Sequence, residues 1–302
     1  MFHNLKKKLR FARFDIEIKA ILDTPAIKLG SGADIVCVSH IGRTYLSAYL
    51  LAIKSLARWV PLRKVIIIDD LSLTDSHRAL LREHIPGVEV RPITSIANKA
   101  CPSGGDWEGF LLIGEEAKDS YCILLDADTV ATGSLPEVAD SIASNKSFTL
   151  GTWKNQQIVS VTEAYEYVKS LQSNHVQIVA ERSLHNMNNA SAAKYVRGCG
   201  GFAGFAKGKE FRRAIEEFSQ MMGVMIGEAK WKEWGSQQVA SNYIVANTPG
   251  SMVLPFPKYA SYAPGLAVDE TAFIHFIGSH RFEDGAYSRV AREVIRQLLA
   301  PG

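Results

Sequence analysis

YCILLDADTVATGSLPEV, residues 121–138, carries an apolar run, Tyr121 to Leu125, straight into two aspartates, Asp126 and Asp128, with one alanine between them. A run without polar alternation is the pattern of a strand covered on both faces, as in a parallel sheet flanked by helices. Burying a carboxylate without a partner is costly, so two acids at the exit of such a strand require something that completes them. In an open parallel sheet the ligand crevice lies beyond the carboxyl ends of the strands. The two acids fall at that edge.

The sequence before this stretch is built the same way. Ala33 to Ser39 and Lys64 to Ile68 are β-type runs, the second ending in Asp69 and Asp70, and Val88 to Ile93 is a third. Between the first two, Leu46, Leu50, Ile53 and Ala57 repeat on one helical face. A further helix opens at Ser72 or Thr74, both good N-cap residues, and stops at Pro86-Gly87. Strand, helix, strand, helix, strand predicts right-handed crossovers and an α/β fold with a mostly parallel central sheet flanked by helices. Trp107 to Asp119 is the next helix. Beyond about residue 150 the alternation loosens: a glycine-rich stretch, GCGGFAGFAKG (198–208), two amphipathic helical patterns (209–222 and 234–247), a strand-like AFIHFIG (272–278) and a last helix from Ser288 to Leu299. This half reads as an elaboration on the sheet.

Composition bounds the function. With 47% hydrophobic and 22% charged residues the chain is an ordinary globular one, and a net charge of +3 gives no case for a nucleic-acid partner. No apolar run approaches the roughly 18 to 20 residues that span a bilayer, and the start lacks the pattern of a cleaved leader. The expected location is cytoplasmic, or peripheral on the inner face of a membrane. Cys37, Cys101, Cys122 and Cys199 are widely spaced and read as reduced thiols. Residues 1–30 form a separate basic segment, in which Phe2, Leu5, Leu9, Ala12 and Ile16 share helical spacing among Lys6, Lys7, Lys8, Arg10 and Arg13. Residues 1–20 therefore either lie on an anionic membrane surface or pack on the domain with a solvated basic face.

Paired carboxylates at i and i+2 are oxygen donors of the kind that Mg²⁺ and Mn²⁺ prefer, alongside phosphate oxygens. A second element, HFIGSHR, His275 to Arg281, lies nearly half the chain away. LLDADTVATGSLPEV resembles the D-x-D segment of the sugar-nucleotide-dependent glycosyltransferases of family 8, the glycogenin and lipopolysaccharide glucosyl- and galactosyltransferase family, and HFIGSHR is similar to that family's H-x-x-G-x-x-K element. The resemblance covers roughly residues 33 to 282, with poor matching from 153 to 195. It implies a GT-A type nucleotide-diphospho-sugar transferase fold, with residues 31–302 as one catalytic domain: 31–150 the nucleotide-binding half, and 151–302 the acceptor-side half with the C-terminal metal and phosphate element.

Residue by residue, the resemblance implies that Asp126, Asp128 and His275 hold Mn²⁺ (or Mg²⁺) bridging the donor's diphosphate, that Gly278 lets the backbone approach the phosphates, and that Arg281, in place of the usual lysine, neutralises the leaving group. Tyr45 matches the tyrosine that stacks on uracil, with core packing as its rival. Asp70 is a nucleotide contact here and also by likeness to the inverting family 2 enzymes, with a helix cap as the alternative. The family's N-x-G element is absent, leaving Gly200 and Gly201 for close backbone approach to the donor. Its D-Q element survives only in Gln237, the candidate beside the reacting carbon, with Gln238 its possible substitute and Ser236 where the aspartate would stand. The activity implied is transfer from a UDP-sugar to a saccharide or lipid-linked saccharide with retention. The rivals are an inverting enzyme, for which Glu233 is the nearest general base, and a nucleotide-sugar-binding protein without turnover.

Overall fold

The structure, a computed structural model, describes residues 2–30 and 34–300. The first part of the chain alternates as expected: α1 (Phe2–Glu17), β1 (Ile35–Ile41), α2 (Leu46–Ala57), β2 (Lys64–Asp69), α3 (Asp75–His84), β3 (Glu89–Pro92), α4 (Trp107–Glu116) and β4 (Tyr121–Leu125). There follow β5 (Thr129–Ala131), α5 (Pro136–Ala143), β6 (Phe148–Leu150), β7 (Val159–Ser160), α6 (Val161–Val168), α7 (Val176–Ser183), β8 (Lys194–Tyr195) and β9 (Cys199–Phe205). The remainder is α8 (Phe211–Ile226), α9 (Glu228–Trp231), α10 (Ser236–Ala246), β10 (Met252–Leu254), β11 (Tyr259–Ser261), β12 (Phe273–His275) and α11 (Ala286–Leu299). The chain is an α/β protein with a mainly parallel central sheet flanked by helices. It divides into two compact units.

The first unit comprises Met1–Arg91, Leu125–Pro136 and Pro257–Gly302. Its share of the central sheet runs β1-β2-β3. β1 and β2 pair in parallel from Val36 opposite Lys64 to Ile41 opposite Asp69. Both strands are buried almost throughout, which is why neither shows polar alternation. α2 is buried on nearly every side. The cap of α3 is Thr74, whose hydroxyl accepts from the His77 backbone N–H while the His77 ring accepts from the Thr74 N–H, a reciprocal capping box. A small second sheet, β11-β12-β5, is added by the end of the chain, with β11 parallel and β5 antiparallel to β12.

A buried lysine locks the entry to this unit. Lys54 on α2 is 1% exposed, and its ammonium lies 3.0 Å from Thr24 O, 2.7 Å from Thr24 Oγ1, 2.7 Å from Pro25 O and 2.9 Å from His84 Nδ1. Burial pushes Lys54 down to about 8, and burial together with the neighbouring ammonium lowers His84, which keeps its imidazole neutral and able to accept.

The second unit comprises Pro92–Leu124 and Glu137–Phe256. Its share of the central sheet runs β10-β6-β9-β4, with β6 parallel to β10 and antiparallel to β9. The glycine-rich stretch is strand β9, and a Cβ at Gly204 would collide with the Phe148 ring and the Tyr121 hydroxyl. Gly204→Ala is therefore expected to lower the unfolding free energy by about 1–3 kcal/mol through overpacking. Urea denaturation measures it, and an unchanged midpoint would contradict the close packing.

Among the described residues no helix is long and apolar enough to cross a membrane. The four cysteines are free thiols; Cys37, Cys122 and Cys199 are buried and Cys101 half-buried. α1 is helical as its spacing predicts, but the row that packs is Phe11 and Phe14, continued just past the helix by Ile18. Leu9 and Ile16, on the row expected to be the apolar seat, are 62% and 74% exposed. The inward row takes precedence because it finds aromatic partners: Phe14 stacks on Tyr287 with ring centroids 4.1 Å apart, and Phe11 meets the edge of Tyr45 at 5.2 Å. Phe2 and Leu5 lie in the part of α1 whose side chains are outside the described residues.

Candidate metal and donor site

The acids that end β4 are fixed by a ladder the apolar run gives no hint of. One residue past Asp128 the chain enters β5, which pairs antiparallel with β12 so that Thr129 faces His275 and Ala131 faces Phe273. The pairing extends beyond the strands, since the Phe276 N–H donates to Asp128 O at 2.9 Å. The Thr129 hydroxyl donates to Asp126 O at 2.8 Å and closes the turn between the acids. Asp126, Asp128 and His275 are thereby gathered: one ligand atom from each lies within 4.8 Å of the others. His275 Nε2 is 3.1 Å from Asp128 Oδ1 and 3.5 Å from Asp126 Oδ2. Asp128 and His275 are buried and Asp126 half-buried.

Arg281 completes the group. Its Nη2 donates to Asp128 Oδ2, its Nε donates to Phe276 O at 2.8 Å, and its guanidinium carbon lies 5.4 Å from the centroid of the Tyr45 ring. Burial disfavours charge on Asp128, but His275 and Arg281 together outweigh it and hold the carboxyl below its ordinary value. Two carboxylates and an imidazole in one cluster, with a cation at hand, suit a hard divalent ion or the anion it carries. Gly278 opens the turn that delivers Arg281 with φ +53, the left-handed region that favours glycine, and among the described residues nothing lies within 4 Å of where its Cβ would be. The segment is anchored behind by the Tyr262 hydroxyl, which donates to Asp284 Oδ2, while Asp284 Oδ1 accepts from the Ala286 N–H at the start of α11.

The other candidates of the first unit have local partners. Tyr45 is half-buried between Phe11 and Arg281. Asp70 is exposed at the exit of β2, where its carboxylate lies over Gly42 and accepts from the Ser72 N–H at 2.9 Å. The cap it was weighed against belongs to Thr74. Its neighbour Asp69 is fully buried: Oδ1 accepts from the Leu71 and Leu73 N–H groups at 2.9 and 3.2 Å, and Oδ2 pairs with Arg78.

Gly200, Gly201 and Gln237 belong to the second unit. Gly200 and Gly201 lie within β9, and the Gly200 N–H is already held by Gln238 Oε1 at 3.0 Å. Gln238 Nε2 in turn donates to Gln177 Oε1 at 3.2 Å. Gln237 differs: it is 5% exposed and its Nε2 has no hydrogen-bond partner among the described residues. A buried amide donor left unpaired costs about 1–3 kcal/mol, so of the two glutamines Gln237 is the one with a donor to spare. Ser236 accepts from the Trp107 indole N–H at 3.0 Å. Glu233 is exposed and paired with Lys230 at 2.6 Å. The signal that sequence reasoning passed over is the pairing of β5 with β12, two three-residue strands far apart in the chain.

No protein-family model and no curated sequence matches the chain. Solved structures do match its fold. The galactosyltransferase LgtC, in complex with donor and acceptor sugar analogues, superposes with a TM-score of 0.54 at 13% identity over 88% of this chain and 97% of that one. An active-site mutant of LgtC gives a TM-score of 0.52 at 15% identity over the same shares. The bifunctional glycosyltransferase WbbM gives 0.53 at 15% identity over 89% of this chain and 51% of that one, so the chain spans about half the length of WbbM. At such identities the likeness is one of fold. The mainly parallel sheet flanked by helices is that of the GT-A glycosyltransferases.

Proposed function

We propose that the protein is a family 8-like glycosyltransferase that moves a sugar from a UDP-sugar to a saccharide or lipid-linked saccharide acceptor, with retention, in the making of cell-surface polysaccharide or lipopolysaccharide. The observation that carries this reading is the cluster of Asp126, Asp128 and His275 with Arg281 on Asp128. The donor set fits a divalent cation, and those three residues would hold Mn²⁺ (or Mg²⁺), which when bound supplies positive charge to a diphosphate. Arg281 supplies a second positive charge for the departing UDP, the type of electrostatic stabilisation that often dominates such reactions. Tyr45 and Asp70 bind the nucleoside, Gly278 leaves room for the phosphates, and Gly200 and Gly201 line the donor side. Gln237 offers a neutral amide to the reacting carbon, as a retaining reaction without a strong base allows. Residues 31–302 act as one catalytic domain.

The test is a screen of UDP-sugars with Mn²⁺, reading UDP release, with calorimetry of UDP alone and UDP with Mn²⁺. One donor is expected to turn over, UDP is expected to bind far more tightly with metal, and the product's anomeric centre by NMR is expected to match the donor's. Gln237→Ala should lower turnover without loss of UDP binding, whereas Gln238→Ala should not. Tight UDP binding with no turnover on any donor and acceptor would favour a binding protein, and an inverted product would overturn retention.

A further inference from the structure

α1 carries two apolar rows, and among its described side chains only one of them is used inside the protein. The inward row seats the helix: Phe14 stacks on Tyr287 and lies 5.3 Å from Phe282, while Phe11 meets Tyr45 and Phe282 at 5.2 and 5.9 Å. The outward row, Leu9, Ala12 and Ile16 at i, i+3 and i+7, faces solvent, with Leu9 62% and Ile16 74% exposed. A helix held to a protein by one face ordinarily shows water a polar opposite face. Here the opposite face is apolar.

Charge says what covers it. The first 20 residues hold six lysines and arginines against one aspartate and one glutamate. Arg10 and Arg13 lie on the flank between the two rows, and they line a cavity of about 460 Å³ together with Phe14, Glu17, Arg289 and Arg292. Arg13 pairs with Glu17 at 2.8 Å, and Arg292 lies 3.7 Å from the same carboxylate, so more arginines than acids meet at this flank. An exposed apolar row bordered by basic side chains is the build of a helix that lies in the plane of a lipid interface. Each basic side chain close to an anionic leaflet strengthens such binding by roughly fivefold.

We propose that α1 is an interfacial helix whose outward row, Leu9, Ala12 and Ile16, docks on an anionic phospholipid surface, with Arg10 and Arg13 against the lipid phosphates. The inward row stays seated on Phe282 and Tyr287, so the first unit rides on the bilayer as a body. This deepens the sequence expectation by naming the face that binds, and it does not rest on the proposed sugar transfer.

The full-length protein is sedimented with vesicles of phosphatidylcholine alone and of phosphatidylcholine mixed with phosphatidylglycerol, in the absence of metal and nucleotide. Binding is expected to the mixed vesicles only and to weaken with salt. Leu9→Ser with Ile16→Ser should lower it by about tenfold or more, and Arg10→Gln with Arg13→Gln by roughly 25-fold. Val224→Ser, at a residue 85% exposed on α8, should leave it unchanged. Leu9 and Ile16 are surface residues, so circular dichroism of their variant should match the parent. No binding, equal binding to both vesicle types, or full binding by the Leu9/Ile16 variant would overturn the proposal. So would a concentration-dependent dimer that this variant dissolves, which would assign the row to a second copy of the chain.

Discussion

Asp128→Asn is expected to lower metal-dependent sugar transfer by roughly 10³-fold, the upper range for removing one electrostatic element from a transfer site, and to weaken Mn²⁺ binding in calorimetry without substrate. The change keeps the shape of the side chain and removes the charge that both His275 and Arg281 address. It also leaves the Arg281 guanidinium, with its side chain 15% exposed, without its carboxylate, and breaking a buried pair from one side destabilises by about 3 kcal/mol. Asp126→Asn separates the two effects. The Asp126 side chain is 38% exposed, and the carboxylate that holds Arg281 is that of Asp128, so this variant should lose less stability than Asp128→Asn while its metal affinity falls. Should both variants retain parental metal binding by calorimetry, these carboxylates are not ligands.

The largest expected loss of stability away from the site is Lys54→Met, about 3 kcal/mol by urea denaturation at neutral pH. The substitution keeps the length of the stem and leaves Thr24 O, Pro25 O and His84 Nδ1 buried without their donor. A pH signature distinguishes this from a packing defect. Burial lowers Lys54 from 10.5 to about 8, so between those values the unfolded chain carries a proton that the folded one has released. More protons on the unfolded state make stability rise with pH. The parent should therefore gain on Lys54→Met as pH climbs from about 8 towards 10.5, and a constant difference across that window would refute the lowered pKa.

The parts of this fold that can be read from sequence are those whose cause is local or repeated. Unbroken apolar runs need no partner to be recognised: the strands at Ile35–Ile41, Lys64–Asp69 and Tyr121–Leu125 are apolar because helices cover both faces, and Thr74 caps α3 through residues three positions away. What escaped is set by partners far along the chain. Lys54 looks like a solvent-facing helical lysine until Thr24, Pro25 and His84 converge on it. α1 has two apolar rows of similar strength, and the choice between them is made by Phe282 and Tyr287, near the other terminus. The candidate site divides the same way. D-A-D and H-x-x-G-x-x-R stand out as motifs, while the ladder that brings them together involves strands of three residues, too short to show any period.

That ladder has a consequence for how the protein is made. β5, with Asp128 just before it, is synthesised long before β12, and the whole of Glu137–Phe256 leaves the ribosome in between. For that interval the acids of the cluster have neither His275 nor Arg281, and the inward face of α1 has neither Phe282 nor Tyr287. Contacts of such long sequence separation form late, so the second unit, apart from its opening segment, is synthesised as one uninterrupted stretch while the first waits for its closing segment. A ribosome stalled before Phe273 would hold a chain with every helix before α11 and every strand before β12 already made, and with the cluster at Asp128 still unassembled.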